Sequence, residues 1–324
     1  MRAIVNTAPN HLEMMEYPTS HPGPGQVRIR TGACGICATD LEMIAGWERT
    51  GFPAIPGHEW AGTVDAVGAG VDEVLIGHRC VAENVLDDGG EVGFEHPGGY
   101  AEYLVTDAAR LQILPDDFPL ATATPIEPLA VAVRARRRLR PDAGDPALIL
   151  GDGPIGLLML QLLVREGDRH VVMVGGREPR LALAAELGVA QTLNYHHLGG
   201  DMAVAIRDET GVEFSTVVEA SGSVTGMEAA LELAGPCGRV LMVGDYGPWH
   251  ASFRWNHVLH REIELIGSCA SAGAWPEAVR LAVEERLPLE RLVTHRVPVE
   301  RFQEGVELTR SRQGDVVKVV MEWE

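Results

Sequence analysis

The rhythm of apolar and polar positions changes near residue 128. Before it, short runs such as QVRIRTG (26–32), WAGTVDAVG (60–68) and AEYLVTD (101–107) are separated by glycine- and proline-rich turns. That texture predicts short strands, and so an irregular, mostly β domain. The N-terminus, MRAIVNTAPNHLEMMEYP, also alternates like a strand. Beyond residue 128 come longer apolar runs, each followed by a helical pattern: ALILGDGPIGLLMLQLLVREG (147–167), HVVMVGGREPRLALAAELGV (170–189) and STVVEASGSVTGMEAALELAG (215–235), then GRVLMVGDYG (238–247). Strand and helix in alternation are the signature of a doubly wound parallel sheet, so the fold class is α/β. The tail ends in DVVKVVMEW (315–323), which reads as a final strand able to pack back on the first domain. The expected division is therefore 1–128 with 268–324, and 129–267.

Length supports two domains, because 324 residues exceed the size at which one core usually stops growing. A hydrophobic share of 46% and a charged share of 23% are ordinary for a globular chain. The net charge of −19 leaves no general basic surface for a phosphodiester backbone, so no nucleic-acid partner is expected. The cluster RARRRLR (134–140) is the local exception, and its helical spacing reads as a solvated face. Lys318 is the only lysine. Schiff-base and P-loop chemistries would both have to use a residue inside the last strand, which argues against them. No run resembles a signal peptide or is apolar enough to span a bilayer, so no membrane partner is expected. Five scattered cysteines fit a reducing compartment, and a cytoplasmic location is expected.

GDGPIG sets Gly151, Gly153 and Gly156 in a G-x-G-x-x-G spacing, directly after the strand ALIL and before a helix that Pro154 and Ile155 open. In that setting the glycines allow a tight turn, a close approach of backbone to pyrophosphate, and close helix–strand packing. The next strand ends in Gly175 and Gly176, where an NAD-preferring site carries an acid for the ribose 2′-hydroxyl. Arg177 follows, with Arg180 beside it in the same candidate set. A guanidinium can pair with a 2′-phosphate, so NADP is favoured over NAD. The other reading makes Arg177 a solvated turn residue and lets the site take either cofactor.

GACGICATD (32–40) holds Cys34 and Cys37 two residues apart. Alone, the pair could be half a zinc clip, a redox pair, or a site using one thiol. IPGHEWAG (55–62) adds His58 and Glu59, and PIEPLAVAVRA (125–135) adds Glu127. Together GICATD, GHEWAG, IEPLAVAVRA, the glycine loop and VVEASGS resemble the zinc-dependent medium-chain dehydrogenase/reductase superfamily, along essentially the whole chain. The resemblance implies a GroES-like catalytic domain and a Rossmann cofactor domain. It makes Cys37, His58 and Glu127 ligands of one catalytic zinc, with Glu59 near enough to exchange onto the metal. Asp40 would orient His58, and Thr39 would relay the substrate proton. A substrate hydroxyl at the open position would lose its proton and give a hydride to the nicotinamide.

Some positions depart from the family. Where relatives hold a structural zinc on four cysteines, RCVAENVLDDGGEVGFEHPGGYAEYLV (79–105) has Cys80 alone, so a shortened lobe without that zinc is expected. Glu42 stands where a relay histidine often lies, and is either a proton acceptor or an exposed helix residue. Trp47, Glu42 and His96 are candidates to frame a pocket. Cys34, Cys80, Cys237 and Cys269 read as ordinary small buried or half-buried side chains. The EPLAV motif resembles the sorbitol- and glucose-dehydrogenase-like branches, so the expected small-molecule substrate is a polyol, sugar or cyclitol. A threonine or simple-alcohol dehydrogenase is the nearest alternative, and a nucleotide-binding protein of the same fold without the chemistry is another. By analogy with relatives, a homodimer or homotetramer is expected.

Overall fold

In the computed structural model the chain forms two compact units, Met1–Glu127 with Trp275–Glu324, and Pro128–Ala274. Residues 1–323 are described, apart from Glu48, Thr50, Glu166, Asp168, Arg169, Arg312 and Gln313. The chain returns to the first unit at Trp275 rather than at 268.

The first unit opens with an antiparallel hairpin of β1 (Arg2–Ala8) and β2 (His11–Glu16). Five strands follow: β3 (Gln26–Ile36), β4 (Glu59–Val67), β5 (Arg79–Ala82), β6 (Tyr103–Asp107) and β7 (Leu111–Ile113). In the second unit β8 (Ala147–Leu150), β9 (Val171–Gly175), β10 (Gln191–Asn194), β11 (Phe214–Glu219), β12 (Ala234–Met242) and β13 (Glu264–Gly267) run parallel in the order β10-β9-β8-β11-β12-β13. That is the doubly wound order, with its reversal beside β8. Back in the first unit, β14 (Val293–Pro298) and β15 (Lys318–Glu322) extend the sheet as β14-β15-β3-β4-β5-β7, with β6 also paired to β3.

Alternation places the core. Along β3, Val27 and Ile29 are fully buried, and Trp60, Tyr100, Leu104 and Val319 join them in one cluster. All four residues of β8 are buried, and Leu148 packs with Val172, Val217 and Val240 in the core of the parallel sheet. Each such side chain stabilises the fold by about 1.5–3 kcal/mol relative to exposure. Helix α1 (Ala38–Ala45) follows β3; α2 (Leu120–Ala123) and α3 (Ile126–Leu139) lead from the first unit into the second, and α4 (Pro154–Val164) follows β8. No helix among the described residues is long and apolar enough to cross a membrane.

Two expectations need correction. The arginine cluster is not simply solvated: Arg134 donates to the Ala272 carbonyl at 3.0 Å, Arg137 to Gly273 at 2.8 Å and Arg138 to Gly267 at 2.6 Å. Its guanidinium groups cap backbone carbonyls within the second unit. Cys237 and Cys269 are exposed, whereas Cys34 and Cys80 are buried. Cys237 sits on a tight bend of β12 with φ 55°, which turns it outward.

Candidate functional site

The candidate metal centre is built where β3 ends. Cys37 is the N-cap of α1, and its backbone N–H donates to Asp40 Oδ2 at 2.8 Å. A helix N-terminus favours negative charge on the sulfur above it. Asp40 is fully buried, and its other oxygen accepts from the Gly57 N–H at 3.2 Å, so one carboxylate ties the cysteine turn to the histidine turn. His58 Nδ1 lies 3.3 Å from Asp40 Oδ1, which leaves the other ring nitrogen to face the cysteine. Glu59 starts β4 opposite Gly35 of β3. A side chain at Gly35 would collide with the Glu59 carboxylate, so the glycine makes room for it.

Cys37, His58 and Glu59 bring one ligand atom each within 4.8 Å of one another, the one such metal-ligating group among the described residues. Glu127, in the first turn of α3 and half-buried, stays outside this knot. It is still close enough to feel the charges of His58, Glu59 and Lys318. Burial, reinforced by Glu59 and Asp40, pushes its carboxyl up to about 7. Burial alone would depress the His58 imidazole, but the charge and hydrogen bond of Asp40 together with Cys37 outweigh it and raise the group well above its usual value. Thr39 Oγ1 lies 3.8 Å from the Cys37 sulfur.

The chain's only lysine belongs here, a role the sequence reading missed. β15 pairs with β3 in the register Val319↔Ile36, which brings the preceding Lys318 beside Cys37. Its buried ammonium donates to Glu59 Oε1 at 2.6 Å. Burial opposes its charge, but Glu59, Cys37 and Glu127 overcome that and raise its pKa. The uniqueness of Lys318 was the available signal. Phe94 was missed too: its ring lies 5.0 Å from the His58 ring, and Trp47 meets it edge-on at 6.4 Å. Arg49 stacks over Phe94 at 4.5 Å and pairs with Glu91 and Glu95. His96 is held by Asp88 at 2.9 Å, and Glu42 is exposed on α1.

A metal fits this donor set. Glu59 Oε2 is buried without a hydrogen-bond partner, and a cysteine sulfur, an imidazole and a carboxylate converge in the mixed set a catalytic zinc takes. Cys80 is a core residue whose thiol is pushed up to about 12 by burial.

In the second unit the glycine loop joins β8 to α4. Gly151 has φ 121° and lies so close to the Ala220 backbone that a Cβ would sit 2.8 Å from it. Gly153 is the N-cap of α4, and Pro154 and Ile155 form its first turn, with Gly156 buried behind them. Asp152, the residue between the first two glycines, was not singled out from sequence. Its buried carboxylate accepts from the Gly176 and Arg177 N–H groups at 2.9 Å each, and lies 3.5 Å from the Arg177 guanidinium and 3.7 Å from that of buried Arg180. Arg177 and Arg180, in the turn and helix that follow β9, both lie against the Asp152 carboxylate, with Glu178 between them in the chain.

Residues 23–116 match the family model of alcohol dehydrogenase GroES-like domains, and residues 154–284 that of zinc-binding dehydrogenases. Galactitol 1-phosphate 5-dehydrogenase of Escherichia coli (strain K12) is 29% identical over 94% of this chain and 95% of its own. L-threonine 3-dehydrogenase of Anaeromyxobacter sp. is 29% identical over 100% of this chain and 99% of its own. The crystal structure of galactitol-1-phosphate dehydrogenase from Escherichia coli superposes with a TM-score of 0.88 at 27% identity, covering 99% of this chain and 100% of that one.

Proposed function

The chain belongs to the zinc-dependent medium-chain dehydrogenases of the alcohol dehydrogenase superfamily, and on that premise we propose that it oxidises a secondary alcohol of a polyol, sugar or cyclitol with NAD(P). The carrying observation is the buried knot of Cys37, His58 and Glu59, with an orphaned carboxylate oxygen inside it. Cys37, His58 and one of the two glutamates, Glu127 or Glu59, would hold a single catalytic zinc. The bound ion supplies Lewis acidity that makes a substrate hydroxyl more acidic. The chain's own residues do the rest. Thr39 takes the hydroxyl proton and passes it toward the cofactor ribose and solvent, while the carbon-bound hydrogen leaves as hydride to the nicotinamide, giving the ketone or lactone. Asp40 fixes the His58 ring, and Phe94 and Trp47 shield it from water. Lys318 compensates the charge of Glu59.

Gly151, Gly153 and Gly156 let the pyrophosphate approach the N-terminus of α4, and Arg177 favours NADP. We read the enzyme as a cytoplasmic homodimer or homotetramer. Its shortened lobe carries no structural zinc. The names of two relatives point to a polyol phosphate and to an amino acid, and that of a third to sorbitol, an uncharged polyol. Arg49, the cation over the aromatic wall, is paired with Glu91 and Glu95, which favours an uncharged polyol over a phosphorylated one. A panel of polyols, sugars, their phosphates, L-threonine and short alcohols, assayed for nicotinamide reduction alongside metal analysis, tests this. Fastest turnover on an uncharged polyol with about one zinc per chain supports it; fastest turnover on threonine, or full activity without zinc, overturns it.

A further inference from the structure

Positive charge collects in one recess of the first unit, away from the metal ligands, although the chain as a whole is strongly acidic. Arg30 on β3 pairs with Thr63 on β4, and Thr63 pairs in turn with Arg79 on β5. The three form one row across three hydrogen-bonded strands. At about 4.8 Å between strands, two arginines flank one hydroxyl with roughly 10 Å between their backbones. The row lines a recess of about 290 Å³, which Arg296, Glu322 and Thr31 also border. Arg30 precedes Cys37 along the same strand by on the order of 20 Å of extended chain.

These groups are poorly satisfied by the protein itself. Arg30 makes no ion pair or side-chain hydrogen bond among the described residues. Arg79 donates only to a neutral acceptor, the Phe118 carbonyl, at 2.6 Å. Arg296 reaches no closer than 3.8 Å to Glu322, the one carboxylate in the recess. Thr31 is 3% exposed, and its hydroxyl is buried without a partner. Like charges on neighbouring positions of a sheet repel, and a buried hydroxyl without a partner is costly. The unpaired positive charge is met by a compact ligand that carries negative charge and several acceptor oxygens. Guanidinium forks match phosphate oxygens two at a time, and threonine hydroxyls donate to the remaining ones.

We propose that this recess is a binding site for a phosphate group, carried either by inorganic phosphate or by a phosphate monoester. It is separate from the glycine loop that takes the dinucleotide phosphates, and it does not depend on the identity of the alcohol.

Zinc-loaded enzyme, with its nucleotide loop saturated by NADP, is titrated calorimetrically with inorganic phosphate and with glycerol 3-phosphate at constant ionic strength in chloride. Saturable binding at one site per chain is expected, with a rise in melting temperature. Arg30→Gln and Thr63→Val, which leave the catalytic groups untouched, should each weaken it about tenfold or more while zinc content and turnover hold. Equal affinities assign the site to free phosphate, and tighter binding of the ester assigns it to an organic phosphate. Absence of saturable binding with NADP bound, or an unchanged Kd in Arg30→Gln, overturns the proposal.

Discussion

The metal knot and the glycine loop both sit where a strand gives way to a helix, yet they are assembled differently. The loop is local: β8, the turn at Gly151–Gly153 and the start of α4 are consecutive, and the cross-contact that matters is from Asp152 to the backbone of Gly176 and Arg177. The knot draws on Cys37, Asp40, His58, Glu59 and Lys318, from one end of the sequence to the other, and it is held by charge in a buried setting. A local site depends on backbone shape. A dispersed, charged one depends on every partner being present, since a buried ion left unpaired costs far more than its pair contributes.

Removing the proposed sulfur ligand should break the contrast most severely. Cys37→Ala should lose its zinc and drop in turnover by at least about a thousandfold, while dinucleotide binding to the other unit persists. Cys34→Ala should keep its metal and most of its activity, because Cys34 is a buried core thiol raised in pKa chiefly by burial. Zinc loss in Cys34→Ala would restore the zinc-clip reading. Next in size is Lys318→Met, which strands Glu59 in the core. Urea unfolding of the metal-free protein should show a loss of about 3–5 kcal/mol, largely recovered by Lys318→Arg. A loss below about 1 kcal/mol would mean that Glu59 tolerates burial unpaired.

The same difference explains what could be read from sequence. The doubly wound sheet was legible because each strand and helix announces itself within a few residues, and GDGPIG lies wholly inside one strand–turn–helix unit. Cys37, Thr39 and Asp40 were singled out through the family resemblance instead, and the Asp40 carboxylate accepts from the Cys37 N–H. Lys318 was not: only the register of β15 against β3 carries it to Glu59, and register is a product of the folded sheet. Phe94 was hidden in an irregular lobe, where no periodicity says which ring will face His58. Asp152 was in plain view, but its neighbours at 176 and 177 belong to the next strand–helix connection.

Titration sharpens the comparison by a smaller amount. In the metal-free protein Glu127 is raised from 4.5 to about 7 by burial first, and the His58 imidazole is raised above its usual 6.5 despite burial, through Asp40 and Cys37 together. Both groups hold protons more tightly folded than unfolded, so both contribute in the same direction. Stability should fall as pH rises, through the window from 4.5 to about 7 for Glu127 and above 6.5 for His58. Denaturation of metal-free protein at several pH values should show that decline. Glu127→Gln should flatten it below neutrality, and saturating zinc should reverse it, because the ion competes with protons for the same ligands. A metal-free protein that gains stability between about pH 5 and 7 would remove the carboxyl's part.

The smallest effect tests how local the nucleotide site is. Arg177 is about one-third exposed, with its guanidinium 3.5 Å from Asp152, while Arg180 is buried against the same carboxylate. If Arg177 recognises a 2′-phosphate, one charge-assisted contact is at stake. Arg177→Ala should then lower kcat/KM with NADP by about tenfold, near 1.4 kcal/mol, and leave NAD almost unchanged. Arg180→Ala should instead weaken both cofactors together, because it unbalances Asp152 and with it the backbone turn at Gly176 that either nucleotide must approach. Equal losses in the two variants would mean that Asp152 and its two arginines act as one unit. Cofactor choice would then lie in the same kind of charge network that holds the metal ligands, and the two sites would differ in distance along the chain but not in principle.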